Sequence, residues 1–305
     1  MKKEFFEKSR LFIYRNARPV DLARWKYHFE GGSREDVLTA LECYQNEDGG
    51  FGHALEIDCW NPNSSPIQTW AATGILREIG LNDGAHPIIR GILKYLASGR
   101  DFIDGEWQNT VPTNNDYPHA IWWEYRDGES SDYNPTASLT GFIVKFAPHD
   151  SGLYELGCKV LKEAYNYYMG KEQNTEPHIL RCFIEMLEYC EAAEVADLID
   201  LSAFKSKIKV DVKAAICTET GKWATDYVCK PSQLFNSNKS IFYEDNKEVA
   251  DCECEFILNS RLEDGSYPIT WLWHNDYNEF KVSANWWKSD FIIKNFLYLR
   301  GFGKM

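Results

Sequence analysis

The sequence predicts an all-α protein built from pairs of inner and outer helices. Two observations support this prediction. About eleven or twelve segments carry apolar residues at helical spacing, and strand-like alternation is nearly absent. A short turn, consisting of an acid or hydroxyl residue, a glycine, any residue and an aromatic residue, also recurs between these segments. Recurring turns of this kind indicate stacked helix pairs, and about five or six such pairs can surround a central cavity.

The first copy of the turn is the most complete one. It lies in the stretch QNEDGGFG at residues 45–52, and weaker copies surround Gly105, Gly221 and Gly265. We expect Gly49 to adopt a positive φ angle where the preceding helix stops, because glycine does so without steric cost. The aromatic residue then fills the gap between two helix ends.

This turn, with a helix on either side of each copy, resembles the repeat of the prenyltransferase and squalene cyclase superfamily. The resemblance extends over most of the chain. The chain is similar in particular to small bacterial members of this fold whose activity is not established. The resemblance implies an α/α toroid of about five to six inner and outer helix pairs, with long aromatic-rich loops on one face. We therefore expect residues 1–305 to form a single toroid domain.

Local signals place the individual helices. Ser33 and Asp36 form an acid-bearing variant of a capping box, and Pro66 and Pro87 stand where a first helical turn tolerates proline. The apolar spacing predicts helices over 3–15, 19–29, 33–46, 66–79, 86–98, 135–146, 151–169, 177–191, 194–200, 203–217, 246–261 and 284–300. Long aromatic-rich loops fill 101–134, 219–245 and 264–277. Loops of this length usually carry function.

Composition narrows the possible partners. The chain has 33 basic and 46 acidic residues and a net charge of −13, which disfavours nucleic acid and anionic surfaces. No apolar run reaches the roughly 18 residues of a membrane span. The N-terminus lacks the apolar stretch of a signal peptide, so we expect a cytoplasmic protein. A small molecule in the central cavity is the expected partner, and the sequence gives no indication of the oligomeric state.

The candidate site lies in the loops at 53–63, 112–134 and 266–278, where tryptophans and acids cluster. The resemblance implies a terpenoid cyclase or prenyltransferase-like protein that binds an apolar or isoprenoid molecule. Glu56 and Asp58 are the candidates for acid-initiated catalysis, because one carboxyl group can donate a proton while its neighbour holds it. The expected lining of the cavity consists of aromatic and polar side chains: His53, Trp60, Asn61, Trp122, Trp123, Glu124, Asn134, Trp271 and Trp273.

The ion-binding motifs of the superfamily are not found. The sequence contains neither D-x-D-D nor D-D-x-x-D, so magnesium-assisted diphosphate chemistry has no anchor. Zinc would have to be held by Asp251, Cys252, Cys254 and His274, but Cys252 and Cys254 point to different sides of a helix. We therefore predict no metal and no cofactor.

Two other functions remain open. A carbohydrate-active hydrolase or lyase could use tryptophan platforms together with a pair of carboxylates as acid and base. The available carboxylates are Glu56, Asp58, Glu124 and Asp276. A non-catalytic ring that binds a ligand or a protein is the third possibility, because no complete catalytic motif is present.

Overall fold

The protein is mostly helical. The structure is a computed structural model that describes residues 3–129, 131–195 and 197–305. These residues contain eleven α-helices and one short two-stranded sheet, so the predicted all-α class is confirmed. None of the helices in these ranges is long and apolar enough to cross a membrane.

The helices have the following bounds: α1 Lys3–Asn16, α2 Pro19–Phe29, α3 Arg34–Glu42, α4 Pro66–Glu78, α5 Pro87–Ala97, α6 Thr136–Phe146, α7 Gly152–Gly170, α8 Pro177–Ala192, α9 Leu201–Ala215, α10 Tyr243–Asn259 and α11 Phe280–Gly301. The two strands, β1 Phe102–Ile103 and β2 Glu106–Trp107, pair antiparallel with Phe102 opposite Trp107. Short 3₁₀ turns lie at Pro112–Asp116, Ile121–Trp123, Thr220–Ala224 and Pro231–Gln233.

Contacts divide the chain into two compact units. The middle unit is Tyr44–Asp211, and the terminal unit combines Met1–Cys43 with Val212–Met305. In the terminal unit, α1 and α2 pack on each other and on α11, and α10 also contacts α11. The first helices of the chain therefore pack against its last helix.

Within the middle unit, α6 is the helix with the most neighbours. It contacts α4, α5, α7 and α8, and α5 and α7 also contact each other. The first nine residues of α6 are all buried, including the hydroxyl side chains Thr136, Ser138 and Thr140. Aromatic rings join the later helices, since Phe183 of α8 lies 4.5 Å from Tyr168 of α7.

The predicted helix starts are confirmed where capping signals exist. Asp36 N donates to Ser33 Oγ and Ser33 N donates to Asp36 Oδ2, both at 3.1 Å, which completes the capping box of α3. Helices α4 and α5 begin at Pro66 and Pro87. Ser65 also caps α4 by accepting a hydrogen bond from Gln68 N.

The predicted helix over 194–200 is wrong. Helix α8 ends at Ala192, Glu194 takes a positive φ angle of 56°, and the described residues beyond it form turns. Ala196 lies outside the described residues. The apolar side chains Val195 and Ile199 are buried at helical spacing without a helix. Asp200 instead begins the next helix, because its Oδ1 accepts a hydrogen bond from Ala203 N at 2.9 Å.

The recurring turn keeps its backbone conformation in three of four copies. Gly49, Gly105 and Gly265 have φ angles of 94°, 87° and 88°, as expected for Gly49. In two copies, the acid before the glycine accepts a hydrogen bond from the backbone two residues later. Gly50 N donates to Asp48 Oδ1, and Ser266 N donates to Asp264 Oδ1. The fourth copy differs, because residues Thr220–Ala224 form a 3₁₀ turn.

Candidate functional site

Two of the predicted site loops pair through their backbones in the middle unit. Trp60 N donates to Pro118 O at 2.9 Å, and Ala120 N donates to Asp58 O at 2.8 Å. Between these bonds, Cys59 and His119 form an isolated antiparallel bridge. The loops before α4 and α6 thus lie side by side although 60 residues of sequence separate the bridge partners.

Asparagine side chains connect these two loops through hydrogen bonds. Asn61 is fully buried, and its Nδ2 donates to Thr113 Oγ1 at 2.8 Å and to Asn114 Oδ1 at 2.9 Å. Asn114 Nδ2 in turn donates to Trp123 O at 2.9 Å. The side chain of Asn61, predicted to line a cavity, therefore holds the two loops together. Through Asn114, the Asn61 side chain connects the Trp123 backbone to the loop that carries Asp58.

The two candidate acids occupy different environments within this loop pair. Asp58 is only 2% exposed, whereas Glu56 is half-buried. Asp58 N donates to Glu56 Oε1 at 3.3 Å, so the Glu56 carboxylate folds back on its own turn. The arrangement offers one carboxyl group shielded from water beside a second one that solvent reaches. Such a pair can serve general acid chemistry.

The remaining predicted residues of these loops are less enclosed. His53 is exposed and its Nε2 lies 2.9 Å from Asn46 Oδ1, while Trp60 is half-buried. Trp122 is 41% exposed. Glu124 is exposed and forms a 2.8 Å ion pair with Arg126, which places it at the surface of the unit.

Asn134 lies at the end of the second loop, where α6 begins. The side chain is half-buried, and its Oδ1 accepts a hydrogen bond from Cys182 Sγ at 3.4 Å. The preceding residues Asp132 and Tyr133 have positive φ angles of 50° and 64°. This loop is held from two sides, since Glu106 accepts from Tyr133 N and Asp132 accepts from the hydroxyl of Tyr167.

Trp271 and Trp273 belong to the terminal unit. Trp271 is half-buried and contacts the Trp287 ring edge-to-face at 5.3 Å. Trp273 is 1% exposed and packs against Phe280, with 5.9 Å between ring centroids. Trp273 therefore supports the neighbouring rings and offers little free surface for a ligand to stack on. Tyr277, at 37% exposure, is the accessible ring of this loop.

The loop around Trp273 borders a small cavity that is open to solvent. Its volume is about 280 Å³, and it is lined by Leu272, Trp273, His274, Asn275, Asp276, Tyr277 and Phe280. The lining combines an aromatic wall with an imidazole, an amide and a carboxylate. This mixture can bind a molecule that has both an apolar face and hydroxyl groups. This volume lies just below the range of about 300 to 1,000 Å³ that is typical of small-molecule pockets, so we expect a small ligand.

Sequence reasoning missed a cluster of charged and polar residues on α4, α6 and α8 of the middle unit. We call it the Glu185 cluster; its members are Trp70 and Arg77 of α4, Ser138 of α6, and Arg181 and Glu185 of α8. Glu185 is 3% exposed, and its carboxylate accepts hydrogen bonds from side chains of α4, α6 and α8. Trp70 Nε1 and Ser138 Oγ both donate to its Oε2 at 2.7 Å. Arg77 and Arg181 contact its Oε1 at 2.9 and 3.1 Å.

Electrostatics keeps Glu185 ionised. Burial raises the pKa of its carboxyl group, but the charges of Arg77 and Arg181 and the donated hydrogen bonds outweigh burial and bring the pKa to about 2. A carboxylate held in this way does not act as a proton donor near neutral pH. Its role is to position Trp70 and Arg181. The only signal in the sequence is the four-residue spacing between Arg181 and Glu185 within an apolar helix.

The terminal unit has a similar arrangement. Asp21 is fully buried, and Arg18 Nε and Arg24 Nη1 contact its two oxygens at 2.7 and 2.8 Å. Arg24 also donates to Asp290 at 2.9 Å, and Arg18 lies over the Trp286 ring at 5.9 Å. Each unit thus contains a buried carboxylate held by two arginines, with one arginine against a tryptophan.

In the part of the chain that the structure describes, no group of three His, Cys, Asp or Glu side chains is placed to hold a metal ion. Cys252 is exposed and Cys254 is buried on α10, so these two thiols face different sides of the helix.

Comparison with known proteins returns no relative. No protein-family model matches the chain, and neither the curated proteins nor the solved structures contain a match. The resemblance to the cyclase superfamily therefore stays a prediction that depends on the repeated turn.

Proposed function

We propose that the protein binds a small hydroxylated molecule of the carbohydrate class through the loop that carries Trp271–Phe280. The observation that supports this proposal is the cavity of about 280 Å³ in that loop. Tyr277 provides an accessible ring on which the CH face of a sugar can stack. His274, Asn275 and Asp276 supply the donors and acceptors that hydroxyl groups need.

Binding can be tested with a panel of neutral monosaccharides by isothermal titration calorimetry. We expect Tyr277→Ala and Asp276→Asn each to weaken binding at least tenfold, because each removes one of the two kinds of contact. Trp122→Ala is the matched control, since Trp122 is an exposed aromatic residue of the other unit. Lack of saturable binding to every sugar, or equal loss in the control, would count against the proposal.

A second candidate function is acid-initiated chemistry on an apolar isoprenoid at Asp58 and Glu56. The burial of Asp58 favours it, because a proton donor to an alkene has to be protected from water. The carboxyl group lies in the loop pair that also contains Trp60 and Trp123, whose rings can stabilise a carbocation. Mass spectrometry of small molecules retained by protein from its native extract separates the two candidates, since it identifies either a sugar or an isoprenoid.

We also propose that the helices close into the α/α toroid that the repeated turn suggests. Two observations support closure: α6 packs on both α4 and α8 in the middle unit, and the first helices pack on α11 in the terminal unit. Small-angle X-ray scattering tests this proposal. A compact chain of this length has a radius of gyration of about 19 Å, whereas two separated units give a value several ångströms larger.

A further inference from the structure

We propose that Arg181 is the centre of a binding site for an oxyanion, either a carboxylate or a phosphate group of a small molecule. The site is independent of the cavity at Trp273 and of the acids Asp58 and Glu56. Four features of the Glu185 cluster lead to this inference.

The first feature is the unused donors of Arg181. Its Nε donates to Glu185 Oε1 at 3.1 Å, while its two terminal nitrogens have no acceptor within residues 3–129, 131–195 and 197–305. Its side chain is 37% exposed, so solvent reaches the guanidinium group. The terminal nitrogens of arginine form a planar fork that matches the two oxygens of a carboxylate or phosphate.

The second feature is preorganisation. The Arg181 guanidinium lies 5.4 Å from the centre of the Trp70 ring, and Glu185 holds both residues through Nε and Nε1. An arginine fixed on two sides loses little additional side-chain entropy when it binds an anion. An ordinary surface arginine is not held in this manner.

The third feature is space in front of the fork. Gly74 lies one helical turn after Trp70 on α4, and a Cβ atom at this position would be 4.0 Å from Arg181 Nη2 with no other atom as near. Glycine at this position leaves the space beside the terminal nitrogens open. A side chain longer than that of alanine on Gly74 would extend toward these nitrogens.

The fourth feature is local charge. Within the Glu185 cluster, Arg77 and Arg181 both contact the single carboxylate Glu185, and Arg77 also pairs with Glu188 outside the cluster. The five members of the cluster therefore carry two positive charges and one negative charge, in a chain whose net charge is −13. Ser138 also lies in the first turn of α6, where the helix dipole favours anions.

The terminal unit provides an internal comparison. There Arg18 occupies the equivalent place beside Trp286 and Asp21, but Arg18 is only 5% exposed. Of these two arginines, Arg181 is therefore the one whose guanidinium group an anion in solution can reach.

The test is isothermal titration of the full chain with malonate and, separately, with inorganic phosphate. Ionic strength is held constant with chloride. We expect saturable binding of at least one anion. Malonate alone would identify a carboxylate ligand, and phosphate alone would identify a phosphorylated one. Absence of saturable binding for both anions would overturn the proposal.

Variants locate the site. Arg181→Gln should weaken binding at least tenfold, and Arg181→Lys should weaken it as well because an ammonium group lacks the planar fork. Arg90→Gln is the matched control, since Arg90 is an exposed arginine of α5 in the same unit. Equal binding by wild type and Arg181→Gln, or equal loss in Arg90→Gln, would refute the assignment.

A variant that leaves the Arg181 side chain intact gives an independent readout. Gly74→Leu should abolish anion binding by covering the fork, whereas Gly74→Ala should bind like the wild type because its Cβ makes only ordinary contact. Thermal unfolding of both variants shows whether each is folded. Undiminished binding by a folded Gly74→Leu protein would contradict the location proposed here.

Discussion

A Cβ atom built on Gly49 would lie 2.1 Å from the carbonyl oxygen of Gly91, closer than any carbon and oxygen atom approach without a bond. The first copy of the recurring turn therefore packs directly on the backbone of α5. Gln45 reinforces this contact, because its Nε2 donates to Gly49 O at 2.9 Å and to Ile88 O at 3.2 Å. Glycine is required here both for its positive φ angle and for the close approach of two backbones.

We predict that Gly49→Ala destabilises the protein by about 2 to 4 kcal/mol, since the φ penalty and the backbone clash add. Urea unfolding at 25 °C measures the change. Gly221→Ala is the matched control, because this glycine of the fourth copy has no atom near its Cβ position and lacks a positive φ angle. The control should stay within about 0.5 kcal/mol of the wild type. An unchanged midpoint for Gly49→Ala would contradict the assigned contact.

Much of the fold could be predicted from the sequence because its helix ends carry local signals. Ser33, Pro66 and Pro87 act through neighbouring atoms only, and the structure begins helices at or next to each. The false helix at 194–200 arose because burial of Val195 and Ile199 imitates helical spacing. The positive φ angle of Glu194 interrupts the helical backbone at the start of this segment, and apolar spacing does not reveal it.

The second prediction concerns the stability of the protein at low pH. The pKa of Glu185 is lowered to about 2 by nearby Arg77 and Arg181 in spite of burial, so the ionised group stabilises the folded state above its unfolded pKa of about 4.5. This stability, about 3 kcal/mol, should be lost as the pH falls from about 4.5 to 2. Glu185→Gln should be less stable at pH 7 and should show a flatter stability profile in this window.

Chemical denaturation at pH 7, 4.5, 3 and 2 checks the acid prediction. Glu163→Gln is a suitable control, because Glu163 is 44% exposed and forms a 3.8 Å surface pair with Lys159 that is expected to contribute little. Parallel profiles for the wild type and Glu185→Gln would show that Glu185 has no part in acid unfolding.

Only part of the candidate site could be predicted, because some of its residues are far apart in the sequence and meet only in the folded protein. The sequence shows tryptophans and acids in the loops at 53–63 and 112–134, and the structure pairs these loops through Cys59 and His119. The Glu185 cluster could not be found in this way. Trp70 and Glu185 are 115 residues apart, and only tertiary packing of α4 on α6 and α8 brings them into contact.

A third prediction tests the packing of the chain's first helices on its last one. Phe296 of α11 is fully buried, and its ring is surrounded by Phe5 and Phe6 of α1 and by Trp25 and Phe29 of α2 at 5.5 to 6.3 Å. Phe296→Ala should destabilise the protein by about 3 to 5 kcal/mol through the lost burial and the remaining cavity.

Leu11→Ala serves as the control for Phe296→Ala, since Leu11 of α1 is 48% exposed. Thermal and urea unfolding of the two variants should differ clearly. If both variants unfold at the same urea concentration, α1 and α2 do not pack on α11 as the structure shows.

The last prediction tests Asp58 as the proton donor of the second candidate function. Asp58→Asn keeps the size of a side chain that is 2% exposed but removes its acidity, so the fold should remain while any acid-initiated turnover falls by at least about 100-fold. Glu124→Gln is the control, because Glu124 is an exposed carboxylate of the same loop pair that is held by Arg126. Turnover of the isoprenoid identified in the native extract gives the measurement. A folded Asp58→Asn protein with undiminished turnover would exclude Asp58 as the proton donor.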